Sequence, residues 1–319
     1  MTTAPAAKNT RKTRTATTPR PSPSAMASSI STVASGATMT GVSRHDDLHA
    51  MLRRLNLSHI ADTFTETALK AAKANLSHEA FLYELASQEC AFRDQRRIAR
   101  HLHESRLPRE KTFATLQRDR FSPALQLQIE RLRTGAFVED AVNVVAVGRP
   151  GVGKSHLAAA VGHELIQLGH TVLWTTTAAL VQRLLAAKRD LRLPQQLAKL
   201  EHVACLILDD IGYVQHDRDE MEVLFTLLAD RYERRSVILT TNLVFSEWDR
   251  IFKDPMTTMA AIDRVVHHSV ILDLMTVESY RAQEAREAKE AQNHENDHDN
   301  ETNQTSKAEE VIVATGKTN

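Results

Sequence analysis

Gly148-Arg149-Pro150-Gly151-Val152-Gly153-Lys154-Ser155 is the segment in which residue type and spacing point most directly to chemistry. It satisfies G-x-x-x-x-G-K-[ST] in full, with a β-rich run before it and a helical run after it. Glycines let a backbone wrap closely around phosphate with its amides turned inward. A helix start adds partial positive charge to the same spot. Lys154 has the reach for terminal phosphates, and the Ser155 hydroxyl suits Mg²⁺. His156 opens the following helix and is grouped with the loop as nucleotide-binding. A phosphate loop needs acids nearby, and Cys205-Leu206-Ile207-Leu208-Asp209-Asp210 supplies two at the end of an apolar run about 55 residues downstream. Asp209 is expected to hold Mg²⁺, and Asp210 to orient or deprotonate an attacking water. A third run ends Thr240-Thr241-Asn242, where Asn242 could reach a γ-phosphate or that water, or could serve as an ordinary helix cap. Arg264, within Ala261-Ile262-Asp263-Arg264, could stabilise transition-state charge or pair with Asp263. Arg281 could sense nucleotide or be a helix-end charge.

The elements that must position these residues follow from periodicity. Five short apolar runs, 143–147, 171–175, 204–208, 236–240 and 269–272, alternate with helical segments. That alternation predicts a parallel sheet with crossover helices. Residues 156–168 are the helix after the loop, with Leu157, Ala158–Ala160 and Val161 set against the sheet. Upstream, 44–118 reads as helices. Leu48, Leu52 and Leu55 start one apolar face. Ser77 is the expected N-cap of the next helix, with Glu79 in its first turn, Leu76 stapled to Phe81, and Pro108 ending the run. Four parts result: a basic tail at 1–43, a helical domain at 44–120, an ATPase domain at 121–282 and an acidic tail at 283–319.

Charge needs division before it excludes anything. The chain has 319 residues, with 40 Lys plus Arg and 40 Asp plus Glu. Residues 1–43 hold five bases and no acid; residues 282–319 hold nine acids and four bases. Removing both tails from the totals leaves 31 of each sign between them. Net neutrality is therefore a cancellation, and it does not exclude DNA. Arg93, Arg96, Arg97 and Arg100 share one helix face, and Arg106, Arg109 and Lys111 follow. This is either a stripe that tracks phosphates without reading sequence or a solvated helix face. Two cysteines, Cys90 and Cys205, exclude a disulfide framework, and no Cys/His spacing suggests zinc. The chain is too polar throughout for a transmembrane helix, and a cytoplasmic location is expected. The acid-free head resembles an organelle transit peptide in composition, but Pro19, Pro21 and Pro23 argue against the helix that one needs.

Taken together, these pieces resemble the AAA+ ATPases, and more closely the IstB-like ATP-binding helpers of insertion-sequence transposition, relatives of the DnaC helicase loader. The likeness covers roughly 46–282. It rests on Gly-Lys-Ser-His-Leu-Ala at 153–158, Leu-Asp-Asp-Ile-Gly-Tyr at 208–213, Thr-Thr-Asn at 240–242, Asp-Arg-Val-Val-His-His at 263–268 and Ser-Tyr-Arg at 279–281. In the helical module it rests on Asn-Leu-Ser-His-Glu-Ala-Phe at 75–81, Arg-Arg-Ile-Ala-Arg at 96–100 and Arg-Leu-Pro-Arg-Glu-Lys-Thr at 106–112. The resemblance implies an α/β AAA+ fold, ATP and Mg²⁺ as cofactors, and ATP-driven homo-oligomers. It also implies DNA binding, a transposase partner, and Arg264 acting on a neighbouring subunit. A helicase loader, or a nucleotide-binding scaffold with little hydrolysis, are the alternatives. Arg281 follows Arg264 by only 17 positions, so a full AAA+ lid is expected to be absent or vestigial. The second acid is Asp210, where many relatives of this class use Glu.

Overall fold

The computed structural model describes residues 41–212, 218–248 and 255–281. Both tails therefore lie outside the described residues, as does Tyr213 of the 208–213 motif. The chain divides into two compact units, Met1–Leu85 and Ala86–Asn319, with the division inside a helix.

In the first unit, α1 (Gly41–Arg54) and α2 (Ser58–Lys73) are followed by the start of α3 (His78–Ser105). Ser77 caps α3 as expected, its Oγ accepting from the Ala80 amide at 3.2 Å. The apolar face expected from Leu48, Leu52 and Leu55 does not become core: Leu48 and Leu55 are 43% and 66% exposed. The burial in this unit comes instead from Ile60, Ala61 and Ala71 of α2 and from Leu85. The spacing gave the helix but not its burial, which depends on a partner surface that periodicity does not name.

The second unit is a five-stranded sheet in the order β2-β3-β4-β1-β5, parallel at every pairing. The strands are β1 (Asn143–Val147), β2 (Val172–Thr176), β3 (Cys205–Asp209), β4 (Ser236–Thr241) and β5 (Ser269–Asp273). Each expected strand is present, four of them shifted or extended by one residue. The central strands are buried on both faces, which is why they read as continuous apolar runs.

Alternation within the strands splits the core in two. Val144, Ala146, Ile207 and Ile238 face α4 (Pro123–Arg133) and α6 (Lys154–Gln167). Val145, Val147, Leu206, Leu208 and Leu239 face the opposite layer. That layer is α7 (Thr177–Arg189), α8 (Leu193–Glu201), α9 (Arg218–Arg231) and α10 (Pro255–Val266). A short helix, α5 (Ala136–Glu139), leads into β1. Ala159, Ala160 and Gly162 bring α6 close to the sheet; a Cβ on Gly162 would come within 2.8 Å of Ile207 and 2.9 Å of Leu107.

α3 stops at Ser105, and Arg106 turns left-handed at φ 59° before Leu107 enters the core. Leu107 and Phe113, on the amino-terminal side of the expected 120/121 boundary, are buried with Phe121 in the same cluster as β1 and α6. Trp174 and Trp248 are packing residues, 8% and 0% exposed. Among the described residues no helix is long and apolar enough to cross a membrane. After β5 the described chain turns at 275–277, and Tyr280 and Arg281, its last two residues, are helical.

Candidate functional site

The sheet places its functional residues at one edge. β1, β3 and β4 lie side by side in parallel, so their carboxyl ends point the same way. The chain leaves β1 toward the far side of the sheet and returns past it to β5, and such a reversal opens a crevice at the strands' carboxyl ends. Residues 148–153 leave β1 into that crevice and enter α6. Gly151 and Gly153 have φ of 84° and 97°, conformations that a side chain would strain. Gly151 also has no room for a Cβ, which would meet Ser279 Oγ. The Lys154 ammonium folds back onto the loop, donating to the Gly148 carbonyl at 2.8 Å and the Arg149 carbonyl at 3.0 Å.

Asp209 is the centre of the polar network. Its Oδ1 accepts from Ser155 Oγ at 2.7 Å and from Thr240 Oγ1 at 2.6 Å. Its backbone carbonyl accepts from Thr177 Oγ1 at 3.2 Å. Thr240 also accepts from the Asp210 amide at 2.8 Å. Ser155 and Asp209 were paired by their residue types, and the structure brings them into contact. Thr240 joins this network as a site residue that no local motif marks. Its contact depends on β3–β4 register, and the only signal was its place beside Asn242. The oxygens of Ser155 and Asp209 converge as a hard-ligand pair suited to Mg²⁺.

Asp210 has φ 63°, an uncommon conformation for a residue with a side chain. Burial raises its carboxyl above the usual aspartate range, Asp209 adds to the rise, and Lys154 opposes it. The Lys154 ammonium is shifted the other way. Burial lowers it, Arg281 adds to the lowering, and Asp210 and Asp209 oppose it. Asn242 follows β4 with its Oδ1 buried and without a donor among the described residues. A Cβ on Gly212 would come within 2.6 Å of that oxygen, so glycine is needed where the Asp210 turn passes Asn242.

A cavity of about 310 Å³ opens beside the loop. One wall is Gly151–His156, another is Lys111, Thr115–Gln117, Arg120 and Phe121, and a third is Tyr280 and Arg281. The third wall is tied to the loop: the Tyr280 amide donates to the Gly151 carbonyl at 3.0 Å. Arg120 donates to the Glu278 carbonyl at 2.6 Å and lies 5.6 Å from the Tyr280 ring. Arg281 is thus brought to the loop. No local motif marks the 111–121 wall as part of a nucleotide site, because it reaches the loop only through tertiary packing.

Arg264 is not brought to this edge. It lies on α10, and its carbonyl is 3.5 Å from Asn143 Nδ2 at the start of β1. The five residues of β1 separate it from the loop, roughly 16 Å at strand rise. Its guanidinium sits 4.7 Å from the Phe225 ring and donates to the Ala260 carbonyl at 3.1 Å. The alternative pairing with Asp263 is not seen. On α3, Arg93 pairs with Glu89 at 2.8 Å and Arg97 with Asp94 at 3.1 Å, while Arg96 lies 5.7 Å from the Phe92 ring. Arg93, Arg96, Arg97 and Arg100 are all exposed. Among the described residues no Cys, His, Asp and Glu cluster forms a further metal site.

Residues 50–288 match the family model of the IstB-like ATP binding proteins. An insertion-sequence ATP-binding protein of Sinorhizobium fredii is 43% identical over 235 residues, 73% of this chain and 78% of that protein. The insertion sequence IS21 ATP-binding protein of Pseudomonas aeruginosa is 39% identical over 239 residues, 75% of this chain and 89% of that protein. Among solved structures, the DnaC helicase loader aligns with a TM-score of 0.40 at 22% identity, over 48% of this chain and 87% of that one. The chain belongs to the family of IstB-like ATP-binding proteins, on an α/β fold with a parallel five-stranded sheet and a phosphate loop.

Proposed function

We propose that this protein is an ATP-hydrolysing helper of a DNA transposase. One observation carries the nucleotide chemistry: Ser155, Asp209 and Thr240, from three separate segments, meet on a single carboxylate oxygen beside the phosphate loop. Loop residues 148–156 cradle phosphate with backbone amides, and Lys154 leaves the Gly148 and Arg149 carbonyls for the terminal phosphates. Ser155 and Asp209 hold Mg²⁺, which when bound neutralises charge on the phosphate oxygens. Asp210, its carboxyl raised by burial, is the base for the attacking water, and Asn242 positions that water or the γ-phosphate.

Arg264 faces away from its own site, a placement that suits action on the nucleotide of a neighbouring copy in an ATP-state homo-oligomer. The helical part through residue 120 meets DNA and the transposase, with Arg93, Arg96, Arg97 and Arg100 tracking phosphates. Residues 121–282 supply the ATPase. Hydrolysis releases the complex, and the protein works in the cytoplasm. What supports this reading is family membership, together with relatives named for insertion sequences.

The test is Lys154→Ala, followed by electron microscopy and sedimentation with DNA in ATP and in ADP. The expected result is loss of ATP binding and of ATP-dependent assembly on DNA. Assembly that survives the substitution unchanged would overturn the mechanism.

A further inference from the structure

His156 is the loop residue whose ring does not turn to the phosphate side. Its Nε2 lies 3.0 Å from the Thr112 carbonyl and 3.1 Å from Thr115 Oγ1. A carbonyl has no proton to give, so Nε2 must carry the hydrogen. The Thr115 hydroxyl is then saturated. It donates to the Glu110 carbonyl at 2.6 Å and accepts from the Thr112 amide at 3.2 Å and from His156. One turn of otherwise irregular chain is closed on a single imidazole. Two turns along the same helix, His163 Nε2 holds the Pro108 carbonyl at 3.0 Å. Between these two, Gly162 admits Leu107 into the core. The clasped turn leads directly into Thr115, Leu116 and Gln117, which line the cavity beside the phosphate loop.

We infer that His156 is a positioning residue for the nucleoside part of the nucleotide, acting by fixing the 112–117 wall against α6. The phosphates occupy the loop itself. The remaining cavity, between the 111–121 wall and Tyr280, is the space left for base and ribose. The inference rests on the phosphate-loop reading and deepens it: it separates a residue that serves the nucleoside from residues that serve phosphate.

The experiment measures binding of Mg²⁺–ATP and of Mg²⁺–tripolyphosphate to the full chain by calorimetry. His156→Ala and Thr115→Val are each expected to weaken ATP by about tenfold, the cost of one lost clasp, while tripolyphosphate stays within about twofold. His156→Gln, whose amide can donate to the same two oxygens, is expected to recover ATP binding to within about threefold. Equal losses for both ligands, or no loss for ATP, would overturn the inference. Lys154→Ala keeps the two readings apart. If it removes tripolyphosphate binding while His156→Ala weakens both ligands alike, only the His156 inference fails. If tripolyphosphate binding survives it, the phosphate-loop reading fails, and this inference with it.

Discussion

The two ends of the same sheet carry polar networks of opposite kinds. At the amino ends, Arg231 is 2% exposed and donates to the carbonyls of Leu200, Val203, Ala204 and Ser236. Asn143 donates toward the carbonyls of Arg264 and Val265 and accepts from the Val237 amide. Ser236 donates to the Phe137 carbonyl. These side chains end on backbone, and they tie loops to strand starts. At the carboxyl ends, Asp209 accepts from the Ser155 and Thr240 hydroxyls, Lys154 donates to two carbonyls of the phosphate loop, and Asn242 Oδ1 has no donor among the described residues. Arg231, enclosed and spent on four backbone carbonyls, has no face left for a ligand. A set of charges that shift one another's protonation, with a left-handed aspartate among them, is where binding and catalysis are found. Both ends contain buried polar groups; what separates them is whether the partners are fixed.

Asp210→Asn tests that contrast with the largest effect. Losing the base should lower kcat by about 10²–10⁴-fold. ATP affinity should change little, because Asp209 and Lys154 remain. The folded protein should become more stable, not less. The Asp210 carboxyl is raised in the folded state, so its contribution to stability is present below the unfolded pKa and is lost as pH rises through the folded one. Asparagine removes that pH-dependent cost, and it also tolerates the left-handed backbone. The same rise puts the acid limb of the pH–rate profile above the ordinary aspartate range. Steady-state ATPase rates and thermal melts read both effects. An unchanged rate would favour a scaffold that holds nucleotide without using it.

Arg231→Met tests the other end. Burial lowers its guanidinium to about 10, with Arg235 adding to the shift and Cys205 opposing it, so it stays charged at neutral pH. Methionine fills much of the volume but leaves several carbonyls without donors. The expected loss is about 3 kcal/mol of stability. The melting temperature should fall by roughly 6–12 °C. Below the transition, ATP affinity should match the parent. A variant that melts normally but binds ATP poorly would show that the amino ends are not purely structural.

How far the sequence foretold this division depends on contact range. β1 has the bounds that its apolar run predicts, and Lys154, Ser155, Asp209 and Asp210 converge as their motifs imply. Those signals are local: a strand, a tight loop and a helix start within a dozen residues, then acids at a strand end. Thr240 escaped notice because it meets Asp209 through strand register, 31 residues away. The cavity wall at 111–121 is not legible locally, because Leu107 and Phe113 read as the end of a helical module, yet pack with Phe121 into the sheet's core. Exposure of Leu48 and Leu55 could not be read either, since a helical period says which residues share a face and not what covers it.

The basic stripe extends the comparison to a surface, where the expected effect is smallest. Its four arginines share a helix face but not a setting. Arg93 is bonded to Glu89, whose side chain is only 5% exposed, so much of its charge is spent inside the protein. Arg97 shares Asp94, an exposed pair worth little. Arg96 and Arg100 have no carboxylate within ion-pairing distance among the described residues, and these two are the ones free to meet phosphate. Neutralising either to Gln should reduce the slope of log affinity against log salt by about one. Arg93→Gln should change the slope by less, and should cost stability instead, by leaving Glu89 buried without its partner. DNA affinity measured across a salt series for the three variants decides the matter. Equal slopes for parent and Arg96/Arg100 double variant would make this a solvated face, and DNA would have to be held elsewhere.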